Sequence, residues 1–504
     1  MTSLPLLSMI ILTPWLGALL LALTPRFSPK TSRVLGLLFS LSTLGLSLVA
    51  WANFAPATAG YQFVEQQHWI SVLNVSYHLG LDGLSLLLVL LTGLVAPACL
   101  LASWKIERDP RLFSLLFLFL QGAALGVFLA LDFFPWFIFW ELSLVPAFFL
   151  IKLWGGPGAA RAAYQFVVYT IGGSAFMLLA FAAIFAAVGT FDFVELAALA
   201  HSGGLAAKLS APALTAIFLG VLLGLAVKAP LFPFHTWLPS AYAEAPTGAS
   251  MFLTGIMSKL GVYGFLRILW PLFPAQLHAA APVLLGLALG GVVLGAFAAM
   301  AQTDLKRMVA YSSINHVSYC LLALFAVAGA GSLHAAAAGA ALSGALLQMF
   351  NHGLSASALF FCVGILEARA GGKRGLADFG GVRTATPVFA GLCGIALFSS
   401  LGLPGLNGFV GEFLVFRGVF GLAPWAAALG CLGLFATAYF LLTFWQRVFH
   451  GPQGPGVARF RDLSGLEIAT LAPTIALMFV LGVWPQALVS LFNPLVTTWA
   501  AHLP

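Results

Sequence analysis

Charge is what this 504-residue chain lacks: 7% of its residues are Asp, Glu, Lys or Arg, against 61% hydrophobic. Soluble domains carry about 25% charged residues, and a chain with so few cannot clothe a water-facing surface. The shortage excludes a soluble enzyme, a disordered protein and a nucleic-acid binder. Cysteine is sparse too. Cys99, Cys320, Cys362, Cys393 and Cys431 stand at least 31 positions apart, so there is no CxxC spacing for a metal or redox pair, and they read as small packing residues. No GxxxxGK[ST] phosphate loop and no GxGxxG fingerprint occurs. The histidines show neither a four-ligand metal spacing nor a haem pattern. The apolar stretch 5–23 lacks a positive leader and is expected to be a first membrane helix, not a cleaved signal.

What is abundant is apolar sequence, with a mean hydropathy of +1.03 and long apolar runs, the mark of a polytopic membrane protein. The 53 glycines and 27 prolines suit close helix packing and broken helices in lipid. Apolar segments are predicted at 4–24, 33–53, 80–103, 113–131, 134–153, 162–189, 212–236, 247–270, 280–302, 307–328, 335–366, 386–420, 423–447 and 466–490. The expected class is therefore all-α, with about fourteen transmembrane helices. Of the 22 Lys and Arg residues, seventeen fall in alternate connections: Arg26, Lys30 and Arg33; Lys105, Arg108 and Arg111; Lys152 and Arg161; Lys306 and Arg307; Arg369, Lys373, Arg374 and Arg383; Arg447, Arg459 and Arg461. Lys208, Arg267 and Arg417 lie on the other side, and Lys228 and Lys259 fall inside helices. That asymmetry places both termini on the outer side of the membrane.

Two segments are broken. Segment seven holds Lys228-Ala-Pro-Leu-Phe-Pro-Phe-His235, where Pro230 and Pro233 remove N–H donors. Segment twelve holds Leu401-Gly-Leu-Pro-Gly-Leu-Asn-Gly408. The breaks are five segments apart, which suggests that helices 4–8 and 9–13 are two copies of a five-helix unit. An odd number forces the copies into opposite topology, and inverted repeats with paired broken helices mark transporters. The division expected is 1–110 for the first three helices, 111–271 for the first repeat with an inner half-channel, 272–450 for the second with an outer half-channel, and 451–504 for a C-terminal transmembrane helix. Proline kinks used for packing are the plainer alternative.

Four ionisable side chains lie deep in apolar context: Glu141, Lys228, Lys259 and Glu412. Each costs at least about 2.5–3.5 kcal/mol at the centre of a lone helix, so paired or hydrated positions are required. A group held between desolvation and an opposite charge switches protonation when its partner moves, which is what a proton relay needs. Structural ion pairs are the alternative. His316 and His352 stand among Ser, Asn and Tyr within helical segments, where neutral imidazole both accepts and donates; a hydrogen-bonded structural role stays open for each. His235, just past the first break, either feeds Lys228 or caps freed carbonyls. His68, His78, His201, His278, His334, His450 and His502 are assigned nothing.

The stretches LDGLSLLLVLLTG (81–93), FWELSLVP (139–146), KAPLFPFHTWLPSAYAEAPTGAS (228–250), SKLGVYGFLR (258–267), TDLKRMVAYSSINHVSY (303–319), NHGLSASALFF (351–361) and GLPGLNGFVGEF (402–413) together resemble the antiporter-like membrane subunits of respiratory complex I, NADH:quinone oxidoreductase. Glu412, where L- and N-type chains usually carry lysine, resembles the M type. The resemblance implies a proton-translocating subunit, inactive alone, of the cell inner membrane. It implies Glu141 paired with Lys228, Lys228 loaded from the cytoplasmic side, Lys259 linked through His316 and His352, and Glu412 passing the proton outward. It implies no cofactor in this chain, with NADH, FMN, iron–sulfur clusters and quinone in partner subunits, and L-type and N-type chains as neighbours. One departure is Ser240-Ala-Tyr242, where the family often reads Asp-Ala-His, which bears on what lines the cytoplasmic mouth. Alternatives are the D-type chain of a multisubunit sodium/proton antiporter, a ferredoxin-reduced photosynthetic relative, an inert spacer and a solute carrier.

Overall fold

Short polar residues set the helix starts. Asp82, Asp109, Asp132, Asp192, Ser210 and Asp304 each accept a backbone N–H from the first turn that follows, which satisfies donors that lipid cannot. The computed structural model describes residues 5–58, 60–331, 334–454 and 456–501. Leu4, where the first predicted segment begins, and His502 lie outside them.

Among the described residues thirteen helical spans are long and apolar enough to cross a membrane, Phe133–Trp154 counted as one. In order the helices are α1 Leu6–Leu23, α2 Pro29–Ala52, α3 Gly83–Ala102, α4 Pro110–Leu129, α5 Phe133–Leu142, α6 Leu144–Trp154 and α7 Ala159–Val188. Next come α8 Phe193–His201, α9 Gly204–Lys208, α10 Ala211–Lys228 and α11 Leu238–Glu244. Then follow α12 Thr247–Leu272, α13 Pro274–Met300, α14 Leu305–Ala328 and α15 Ala335–Arg369. The last are α16 Pro387–Ser400, α17 Asn407–Leu422, α18 Pro424–Phe449, α19 Gly465–Val483 and α20 Gln486–Ala501. A four-residue turn of helix, Val382–Ala385, precedes α16.

Several elements differ from the sequence expectation. Segment seven is not helical to 236: α10 stops at Lys228, and the chain is irregular until α11. Segment twelve divides into α16 and α17 around 401–406, where Gly402 and Gly405 adopt φ of +79° and +93°, open to glycine without the cost other residues meet. Segment five is also divided, at Ser143. Pro146 removes the donor that the Leu142 carbonyl would meet, and the Ser143 hydroxyl turns back to the Trp140 carbonyl at 2.7 Å. The described part of 451–504 holds two α-helices instead of one, α20 folding against α3 and α15. Gly83 makes that approach possible: a Cβ there would lie 2.2 Å from the Leu491 carbonyl oxygen.

The fold is not wholly helical. Residues 62–81, from a stretch without motifs, form an antiparallel hairpin of β1 Gln62–Ile70 and β2 Val75–Leu81, with Gln66 opposite His78. Strand-like residues join it to the helices: Leu131 donates to the His78 carbonyl, and Phe193 to that of Leu131, each at 2.8 Å.

Nearly every residue of α12 and α14, and of the middle of α15, is buried, whereas α1, α2 and α19 bury one face. The exposed faces carry Leu16, Leu19, Val168, Leu179 and Phe435, as lipid contact requires. Polar side chains on the three central helices therefore meet protein. At the charge-poor end of the bundle, Arg267 is buried and bonds Asp82 at 2.7 Å, Tyr61 at 2.6 Å and Ser85 at 3.1 Å. It is thus an internal tie and not a free topological charge. At the Lys/Arg-rich end, Lys306 is likewise buried, 2.8 Å from Glu367.

Candidate functional site

The three central helices bring the expected ionisable residues together at their midpoints. Lys259 is in the middle of the 26-residue α12, His316 of the 24-residue α14 and His352 of the 35-residue α15. Two wider π turns, Leu253–Met257 and Phe265–Leu269, flank Lys259; such turns open backbone carbonyls and recur at functional positions. The Thr254 carbonyl accepts from both Ser258 Oγ at 2.8 Å and Lys259 Nζ at 2.6 Å.

Lys259 Nζ also reaches His352 Nδ1 at 2.6 Å. With the ammonium donating, Nδ1 is the acceptor and the imidazole proton sits on Nε2. The His352 and His316 rings follow, centroids 5.5 Å apart. His316 Nδ1 lies 3.1 Å from Glu412 Oε1, and Gln348 Nε2 approaches that oxygen at 3.3 Å. Glu412 belongs to α17, just past the break. Its other oxygen faces Gly402, where a Cβ would come within 2.8 Å. Asn351 and Asn407 bond each other across α15 and the break, with Asn351 Nδ2 2.6 Å from the Asn407 carbonyl. The result is a file of contacts, Lys259–His352–His316–Glu412, with each member at least nine-tenths buried.

Glu141 and Lys228 form a second group. Lys228 is 2% exposed, lies over the Trp140 ring at 5.1 Å and is 3.4 Å from Ser143 Oγ. Glu141 is half-buried at the end of α5 and faces Ser174, whose hydroxyl accepts from Trp140 Nε1 at 3.0 Å. Among the described residues no contact ion pair joins Glu141 to Lys228; they are neighbours through space. His235 stacks on Phe232, ring centroids 5.4 Å apart, and among the described residues makes no hydrogen bond to Lys228. Between the groups, Gly261 rests on Ala229 so closely that a Cβ would lie 2.4 Å from the Ala229 nitrogen.

Several buried polar atoms along these groups have no hydrogen-bonding partner in the protein: Glu141 Oε1, His316 Nε2, His352 Nε2, Gln348 Oε1 and both side-chain atoms of Gln121. Buried polar groups are normally satisfied, so this concentration sets these positions apart from the surrounding core. Gln121 was absent from the sequence reading; its signal is a lone amide in the apolar run FLFLQGAALG. Phe117 and Phe128, on the same face of α4, touch Phe252 and Tyr263 of α12, so Gln121 faces α12 between them.

A cavity of about 300 Å³ opens at the Lys/Arg-rich end, lined by Glu244, Lys306, Glu367 and Arg374 among others. Arg374 bonds Asp304 at 2.5 Å and Glu244 at 3.1 Å. Tyr242, the departure noted in sequence, is fully buried and donates to the Leu253 carbonyl at 2.8 Å; it does not line this opening.

The sequence reading also missed a polar cluster at the opposite end. His78 Nδ1 lies 2.5 Å from Asp192 Oδ2. Asp132 accepts from the backbone N–H groups of Ser76 and Phe134, and burial pushes its carboxyl up to about 6. Burial likewise pushes the Tyr61 phenol up to about 12 beside Arg267. The signal was pairing in space between residues of three connections, which spacing does not display. Among the described residues no three His, Cys, Asp or Glu side chains converge as metal ligands.

Residues 130–438 match the family described as NADH:quinone oxidoreductase/Mrp antiporter, TM, and residues 30–131 match NADH-ubiquinone oxidoreductase chain 4, amino terminus. The chain is 36% identical to NADH-quinone oxidoreductase subunit M of Mycobacterium tuberculosis, over 100% of this chain and 96% of that one. It is 38% identical to F(420)H(2) dehydrogenase subunit M of Methanosarcina mazei, over 96% and 95%. Among solved structures it is similar to a chain of respiratory complex I from Thermus thermophilus with bound NADH, at a TM-score of 0.86 and 30% identity, covering 99% of this chain and 100% of that one.

Proposed function

Because the chain belongs to the NADH:quinone oxidoreductase/Mrp antiporter membrane family, we propose that it is the M-type proton-translocating membrane subunit of an NADH:quinone oxidoreductase. It works only within the complex. Electron transfer takes place in partner chains, and this chain moves protons in response. The relative named for F(420)H(2) fits that division of labour, since a shared membrane chain then serves different electron donors.

The observation that carries the reading is the contact file Lys259–His352–His316–Glu412 in helices sealed from lipid. Each member exchanges a proton with the next without leaving the protein interior. In this reading the Lys/Arg-rich end is the inner side, both termini are outer, and the cavity by Glu244 and Lys306 is the inner mouth. Residues 111–271 hold the inner half-channel and 272–450 the outer one. Lys228 takes up the proton, and approach or withdrawal of Glu141 sets how tightly it is held. His235 serves the uptake side. L-type and N-type chains flank the subunit in the cell inner membrane and pass the charge displacement along.

The test is proton translocation by the assembled complex in vesicles with Lys259→Met and Glu412→Gln. Quinone reduction with fewer protons moved is expected. Full translocation in both variants would sink the relay and favour an inert spacer.

A further inference from the structure

Tyr319 stands one turn beyond His316 on α14 and is fully buried. Its ring meets His316 edge-on, centroids 5.6 Å apart, and Phe416 at 5.5 Å. Phe416 stands one turn beyond Glu412 on α17. α14 starts beside Arg374, whose carbonyl accepts from Leu305 N–H, and runs toward the charge-poor end. Tyr319 and Phe416 therefore sit together on the far side of the His316–Glu412 contact. Helical side chains lean toward their own N-terminus, which tips the phenol back toward Glu412. Asn315 and Thr437 lie beside the hydroxyl and Glu412 is near enough to act on it through space, yet none of the three meets it in hydrogen-bond geometry. Phenylalanine would fill the same space without burying an unpartnered hydroxyl, so packing does not account for the phenol.

We propose that Tyr319 is the proton carrier that follows Glu412 on the outward path. The inference rests on the relay reading above. The Glu412 carboxylic acid gives its proton to the phenol oxygen while the phenol's own proton passes to water on the charge-poor side. One O–H bond breaks at Glu412; at Tyr319 one forms and one breaks. The phenol ends neutral and resets by turning its hydroxyl. A phenol both donates and accepts, and the rings of His316 and Phe416 hold it in place.

The experiment uses the assembled complex in vesicles, with Tyr319→Phe and Glu412→Gln side by side. Protons moved per quinone reduced are counted, and proton release is timed after a single turnover. Tyr319→Phe is expected to lose the same share of protons as Glu412→Gln and to slow release at least about tenfold, with assembly unchanged. Normal pumping by Tyr319→Phe beside a deficient Glu412→Gln overturns the proposal and leaves the relay standing. Normal pumping by both overturns the relay itself. A fluorinated tyrosine at 319 keeps the shape and makes the phenol more acidic; a changed release rate supports the assignment, and an unchanged rate overturns it.

Discussion

Lys259 Nζ stands 2.6 Å from His352 Nδ1 across the contact between α12 and α15. Among the described residues the ammonium has no carboxylate in contact; its partners are a carbonyl, a hydroxyl and an imidazole. A neutral acceptor leaves the proton free to be shared, where a carboxylate would hold it.

His352→Leu should therefore act as severely as Lys259→Met, since it removes the acceptor. Proton translocation per quinone reduced should fall, with single-turnover transfer slowed by about 10²-fold. His352→Gln keeps an acceptor group but carries no proton onward, so it should assemble normally and pump like the leucine variant. Vesicle pumping assays compare the three.

Glu141→Gln should separate stability from transport. With no contact pair to Lys228, its removal should shift thermal stability by less than about 1 kcal/mol, while proton movement falls. Calorimetry of the purified complex beside a pumping assay checks both. A large stability loss would mean that the two residues pair directly.

Arg267→Met should cost about 3–5 kcal/mol, because it leaves Asp82 buried without its cation. The double variant Arg267→Met with Asp82→Leu should recover much of the loss. A double-mutant cycle in denaturant measures the difference.

Asp132 predicts a pH dependence. Its folded carboxyl titrates near 6 against 3.8 when unfolded, because burial disfavours the anion. The folded state holds the proton more tightly, so stability is greatest below about 4 and falls as pH rises to about 6. Asp132→Asn should flatten that slope. Hydrogen exchange at the backbone amides of Ser76 and Phe134, followed across this window, reports it locally.

The membrane class and the buried charges were legible in sequence because apolar length and isolated polarity are local signals. Lys228, Lys259 and Glu412 stand out in any apolar run. The π turns of α12 were not legible, since Leu-Thr-Gly-Ile-Met reads as ordinary helix and the extra residue is dictated by packing. The hairpin carries exposed and buried residues without clean alternation, so 62–81 gave no strand period. His78 with Asp192, and Asp132 beside them, depend on three connections meeting, which no spacing records. The turn at Ser143 was written in Pro146, but a single proline reads equally as a mild kink.

Lys259, His316 and His352 all occupy the midpoints of their helices, so in the proposed relay a proton passing among them would move across the bundle, not along it. Motion along that direction crosses almost none of the transmembrane voltage. The electrical work, about 2.3 kcal/mol per unit charge for each 100 mV, falls on the loading and release steps. An imposed voltage should then retard filling from one face and discharge at the other while leaving the internal exchange untouched.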